Sequence, residues 1–255
     1  MIINHREKIS FKLFVIISLL TLISRISRKK LWSLVENKKT KFVLPLKKHK
    51  ANVFDIEGIK VIKFSTNAVD NSKFVVYFHG GGFVMSGNRR HYSFLMKFNK
   101  MTNFNCYYID YPLAPKHKAI EVISSVESVV NKIFDLERNK ELILVGDSAG
   151  GNLALVIGNR FSIAKDILIL SPWLDLTMTN KKIEPMEKKE IMFSKNNLLE
   201  AAKKYQGNLE LDNILISPIY NDFSNKRIGI FAGTDDLLFP DVLKFTEGKD
   251  NIELH

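Results

Sequence analysis

Residues 146–150 read Gly-Asp-Ser-Ala-Gly, a serine set between small residues in the pattern G-x-S-x-G. A serine hydroxyl raised on a sharp strand-to-helix turn can attack a carbonyl carbon and carry the acyl group covalently. The surroundings fit that turn. An apolar run, residues 142–145 (LILV), leads into it, and Gly151-Asn152-Leu153-Ala154-Leu155 leaves it with helical character. Such a turn forces Ser148 into a strained backbone conformation, which glycines at 146 and 150 accommodate by allowing close approach. The hydroxyl then stands at the carboxyl edge of a sheet, at a helix N-terminus that favours developing negative charge. The bland alternative is a tight turn in which Ser148 merely caps the helix. The flanking strand and helix favour the nucleophile.

Upstream, His79-Gly80-Gly81-Gly82 follows another apolar run, residues 74–78 (FVVYF). Consecutive glycines bare their backbone N–H groups, and such groups can hold the oxyanion of a tetrahedral intermediate. A flexible loop and a phosphate cradle are the alternatives. No Gly-Lys-Ser/Thr follows, so a P-loop is excluded. His79 invites a general-base role, but bracing the glycine loop suits it better. The HGGG begins 69 residues before Ser148 with strands between, and the ordered pair is far more specific than either motif alone.

These groups need a scaffold. Residues 53–64 form a pair of strands, and 74–78, 106–109 (CYYI), 142–145, 167–170 and 228–232 (IGIFA) are continuous apolar strands. Residues 119–135 and 152–161 are helical, as are 241–247. Apolar strands alternating with helices indicate a mostly parallel sheet covered on both faces, an α/β architecture. Residues 177–213 break the rhythm. They are rich in Lys, Glu and Asn and form a helical insertion whose apolar inner side is expected from Met178, Met186, Met192 and Phe193. The domain division is therefore an arm, residues 1–50, and a catalytic body, 51–255, with the insertion inside it.

Charge sharpens that division. Of the net +11, residues 1–50 carry all, with 13 Lys/Arg against Glu7 and Glu36, while the body balances 25 basic with 25 acidic residues. A neutral body argues against a nucleic-acid-binding domain. The basic arm points to an anionic surface. It contains an uncharged run, residues 13–24 (LFVIISLLTLIS), flanked by Arg6, Lys8 and Lys12 and by Arg25, Arg28, Lys29 and Lys30. Twelve helical residues reach about 18 Å, short of the ~30 Å hydrocarbon core. Residues 1–30 are expected to be an uncleaved membrane or interface anchor, with a cap helix over the body as the close alternative. A cleaved signal comes last, because Ser24-Arg25-Ile26-Ser27-Arg28 makes a poor cleavage site. The positive flank keeps the body cytoplasmic if the run inserts. The single cysteine, Cys106, excludes an internal disulfide framework and a multi-cysteine zinc site, and no metal or organic cofactor is expected.

With HGGGF (79–83), YPLAP (111–115), GDSAGGN (146–152), SPWLDL (171–176) and GTDDLLFPD (233–241) in this order, the chain resembles the hormone-sensitive-lipase-like branch of the α/β-hydrolases. The resemblance runs from about residue 74 to residue 241. It implies the α/β-hydrolase fold, with a helical cap built from the N-terminal arm and the 177–213 insertion. It implies hydrolysis of a small-molecule carboxylic ester, with Ser148 as nucleophile and the N–H groups of Gly81, Gly82 and Ala149 as oxyanion hole. His79 and Gly80 support the loop. Asp236 is implied as the triad acid, with Asp235 as the neighbouring alternative. Lys116 departs from the family's usual acid after YPLAP and puts only local loop contacts in question.

A hydrolase of this type needs a histidine after the acid. Only His255 follows Asp236. The resemblance places the catalytic histidine later, after the last strand and before a closing helix, so the chain is expected to stop inside its final strand, with the rest of that strand and the helix missing. A truncated product is the first explanation. A catalytically impaired relative that keeps the pocket for binding is the second. The third has His255 serve as the base.

Overall fold

The computed structural model describes residues 51–67, 69–70, 72–190 and 193–255. The expectations for the arm, residues 1–50, and for Met192 fall outside them. The sheet has eight strands, β1(Ala51–Ile56), β2(Ile59–Phe64), β3(Lys73–Phe78), β4(Asn105–Asp110), β5(Glu141–Asp147), β6(Asp166–Leu170), β7(Arg227–Phe231) and β8(Ile252–Leu254), in the order β1-β2-β4-β3-β5-β6-β7-β8. β1, β2 and β4 pair antiparallel, and every pairing from β4 to β8 is parallel. The expected mostly parallel α/β sheet is thus observed, with β8 present as a three-residue strand against β7.

Helices cover both faces. α1(Arg89–Thr102) packs Tyr92 and Leu95 on a face made by Ile62, Val75, Tyr77, Cys106, Tyr108 and Val145. α2(Ala119–Leu136) and α3(Ala149–Arg160) bury Val126, Val130, Leu153 and Ile157 on the other, with α6(Phe239–Thr246) adding Val242 and Phe245. Strands buried on both faces need apolar residues at every position, which is why β3 and β5 read as unbroken runs.

The insertion folds as α4(Ile183–Met186) and α5(Lys195–Gln206). Met178 is fully buried, and Met186 and Phe193 pack on the core. Two contacts bind this segment to the site. Tyr205 of α5 stacks on Phe83 of the glycine loop at 3.8 Å between ring centroids. The Sδ of Met178 accepts from the indole N–H of Trp173 at 3.1 Å.

Candidate active site

β5 ends at Asp147 and α3 begins at Ala149, so Ser148 alone makes the turn, at φ 51° and ψ −119°. A non-glycine residue there is strained and persists only where its surroundings hold it. Those surroundings are visible. The Ser148 N–H donates to the carbonyl of Leu170 at 2.9 Å, and its carbonyl accepts from Asn152 and Trp173 at 3.1 and 3.0 Å. Gly150 lets α3 come against the end of β3, because a Cβ there would lie 2.1 Å from the Phe78 carbonyl oxygen.

β3 lies beside β5, with Phe78 opposite Gly146, and this brings the glycine loop to the elbow. Gly81 has φ 133° and Gly82 φ 59°. The Gly81 carbonyl accepts from Val84 and Met85 at 3.1 and 3.0 Å, closing the turn. Ala149 opens α3, so its N–H is among those a helix leaves without an internal partner. The three N–H groups implied for the oxyanion hole therefore belong to adjoining turns at one sheet edge.

His79 braces this loop. Its ring is fully buried, lies 4.3 Å from the ring of Tyr111 in a stack, and donates through Nδ1 to the Gly80 carbonyl at 2.8 Å. Burial pushes its pKa down to about 4, so it is neutral near pH 7. The Tyr111 hydroxyl donates to the His79 carbonyl at 2.6 Å, and the Ala114 N–H donates to the Phe83 carbonyl at 2.9 Å. The YPLAP segment thus buttresses the loop. Lys116 beyond it is exposed.

The two neighbouring acids differ. Asp236 is half-buried, accepts from the Leu238 N–H at 2.9 Å and is hydrogen-bonded by the Ser171 side chain. Burial raises its pKa against those two bonds. Asp235 is exposed and pairs with Lys189 at 2.9 Å. Asp236 follows β7, one strand beyond β6 from the elbow, on the same carboxyl edge as Ser148.

His255 is held elsewhere. Its N–H donates to Ile230 at 2.8 Å, and its ring stacks on Phe231 at 4.5 Å. β8 stands three strand spacings from β5, about 14 Å, more than an imidazole spans. The structure brings Ser148, the glycine loop and Asp236 to one edge, but does not bring His255 to Ser148.

Neither of two further features was expected from the sequence. One is His91, whose Nε2 lies 3.3 Å from the Asp147 carboxylate. Its signal was Asn88-Arg89-Arg90-His91, a helix start whose Asn88 and His91 form a reciprocal cap. The other is a cavity of about 780 Å³ between Asn180 and Lys181 on one side and Leu243, Ile252 and Leu254 on the other. None of the candidate catalytic residues lines it, so the chemistry, not the volume, locates the site. Among the described residues no cluster of three or more His, Cys, Asp or Glu is arranged to hold a metal, and no helix is long and apolar enough to cross a membrane.

A family model described as the α/β-hydrolase fold matches residues 75–249. An esterase of Acinetobacter venetianus is 25% identical over 72% of this chain and 63% of its own length. The carboxylesterase/phospholipase LipF of Mycobacterium tuberculosis is 30% identical over 47% of this chain and 33% of its own. The chain thus spans less than two thirds of either relative. A hormone-sensitive lipase from a metagenome library superposes with a TM-score of 0.78 at 21% identity, covering 97% of this chain and 89% of that one.

Proposed function

The chain belongs to an α/β-hydrolase-fold family, and from that premise we propose that it hydrolyses small-molecule carboxylic esters through an acyl–Ser148 intermediate. The observation that carries the reading is Ser148 at φ 51°, alone between β5 and α3, beside a loop of consecutive glycines. The Ser148 hydroxyl oxygen attacks the ester carbonyl while its proton passes to a base. The carbonyl oxygen, now anionic, is received by the N–H groups of Gly81, Gly82 and Ala149. The bond to the alcohol then breaks and the proton goes to the departing oxygen. Water repeats the sequence on the acyl-serine and releases the acid. Asp236, half-buried at the same edge, takes the part of the acid that orients and charge-balances a histidine base, a part that His255, stacked on Phe231, does not fill at Ser148. The names of the Acinetobacter and mycobacterial relatives support ester substrates. No cofactor enters the reaction.

The basic apolar arm, residues 1–30, attaches the cytoplasmic body to an anionic membrane surface in this reading. Polybasic contact contributes about 1 kcal/mol per Lys or Arg near such a leaflet. Fractionating cells that express the chain with and without residues 1–30 tests this, and an unchanged soluble distribution rejects it.

One observation favours a second reading. The His255 ring lies on Phe231, so a chain relying on it would lack a base at Ser148 and would bind esters without turning them over. Hydrolysis of p-nitrophenyl butyrate, combined with labelling by a serine-directed phosphonate, separates the two. The hydrolase reading expects turnover and labelling at Ser148, both lost in Ser148→Ala. Binding without turnover supports the second reading, and activity unchanged in Ser148→Ala rejects the first.

A further inference from the structure

We propose that His91 is a positioning residue for the oxyanion loop, acting through the carboxylate of Asp147. Its kinetic consequence rests on the hydrolase reading above, while the tie itself rests on geometry. His91 is at the third position of α1, and its Nδ1 accepts the Asn88 N–H at 3.0 Å. A nitrogen that accepts carries no proton, so in the neutral ring the proton is on Nε2. That nitrogen faces an oxygen of Asp147 at 3.3 Å. The other Asp147 oxygen accepts the Gly80 N–H at 2.9 Å and the hydroxyl of Tyr77.

One carboxylate therefore joins three elements: α1 through His91, β3 through Tyr77, and the glycine loop through Gly80. Its position matters because Asp147 directly precedes Ser148, and Gly80 directly precedes Gly81. The loop has no slack at this contact, since a Cβ on Gly80 would lie 2.3 Å from an Asp147 oxygen. Burial pushes the Asp147 carboxyl up, but the bonds from His91, Tyr77 and Gly80 outweigh it and hold the group below the usual range, as an anion. An anion shared by three donors keeps its geometry only while each is present. Oxyanion donors must meet the developing charge at about 2.7–3.1 Å. Losing the His91 donor lets Asp147 and Gly80 drift, which weakens the transition state more than the ground state and lowers kcat with little change in KM.

The test uses His91→Phe, which keeps a ring and removes the donor, and His91→Gln, whose amide nitrogen reaches close to the place of Nε2. A third variant, Asp147→Asn, sets an amide donor against the Nε2–H. Adding His91→Gln to it lets the amide oxygen turn toward that donor. Amide hydrogen exchange across residues 79–83 reads the tie, and p-nitrophenyl butyrate kinetics read its consequence. His91→Phe should exchange about tenfold faster at Gly80 and lose about tenfold in kcat at similar KM. His91→Gln should keep most of both, and the double variant should recover part of the Asp147→Asn loss. Unchanged exchange and kcat in His91→Phe, or equal damage from Gln and Phe, would overturn the proposal. If the wild-type chain shows neither turnover nor Ser148 labelling, the hydrolase reading fails, and exchange at 79–83 still decides the tie.

Discussion

The N–H of Ser148 donates to the carbonyl of Leu170 at 2.9 Å, so the elbow is fastened to the neighbouring strand β6 as well as to its own. The strain at Ser148 is held by bonds reaching across the sheet, and these need the backbones of α3 and β3 in close contact.

Gly150 is where that contact is tightest. Gly150→Ala places a Cβ 2.1 Å from the Phe78 oxygen and 2.6 Å from the His79 oxygen, both backbone atoms that cannot yield. We expect a loss of about 3 kcal/mol and no phosphonate labelling of Ser148. Gly158→Ala in the same helix meets the Ile167 Cδ1 at 2.5 Å, the end of a side chain that can turn away, and should cost less than half as much. Urea denaturation of both variants checks the order, and equal losses would sink the argument.

Glu137 is nearly fully buried and accepts from Lys63 at 2.7 Å, from Asn105 at 2.8 Å, and from Tyr107 and Lys140. Burial pushes its carboxyl up, but these donors prevail and hold it at about 2, below its ordinary 4.5. A depressed folded-state pKa contributes stability that is complete above about 4.5 and is lost as pH falls toward 2. Glu137→Gln should therefore cost roughly 2–3 kcal/mol at pH 7, with the deficit shrinking between pH 4.5 and pH 2. Chemical denaturation across that range measures it.

Much of this molecule was legible because its sheet is parallel. Runs such as residues 74–78 and 142–145 have no polar alternation, and only a doubly covered strand requires that. The elbow was legible because Ser148 sits where strand signal ends and helix signal begins. α1 was not recognised, because its buried positions, Tyr92, Leu95 and Asn99, include an asparagine. The Asn99 side chain bonds the carbonyls of Phe64 and Phe104, a role no apolar pattern announces. Missing α1 meant missing His91. Glu137 and Asp147 escaped for the same reason, since a charge read alone resembles a solvated one until its partners from distant elements are placed.

Asp241 carries the opposite sign. It is buried, Asn180 donates to its Oδ1 at 2.8 Å, and its Oδ2 finds no partner among the described residues. Burial raises its pKa to about 6, with the Asp175 charge adding to the rise. Because the folded-state value lies above the unfolded one, the stability contribution is complete below about 3.8 and is lost as pH rises through 6. Asp241→Asn keeps an acceptor for Asn180 and removes the charge. It should raise stability by roughly 1–3 kcal/mol at pH 8 and change it little at pH 4. A destabilised variant at pH 8 would contradict this.

Of the two adjacent acids, Asp236 is expected to serve the reaction at Ser148 and Asp235 is not. Asp235 is exposed, and its pair with Lys189 has both side chains mostly in solvent, so the contact is worth at most ~1 kcal/mol. Asp236 is turned inward, fixed by the Leu238 N–H and the Ser171 side chain. An acid that must orient a histidine has to be held in one place, and only Asp236 is. Asp236→Asn keeps an oxygen for the Leu238 N–H, so thermal unfolding should move little. Its missing charge should lower kcat, and the rate of phosphonate labelling at Ser148, by ~10²-fold or more. Asp235→Asn should leave both within about twofold of wild type, as surface substitutions usually do. Equal losses in the two variants, or full activity in Asp236→Asn, would place the acid elsewhere.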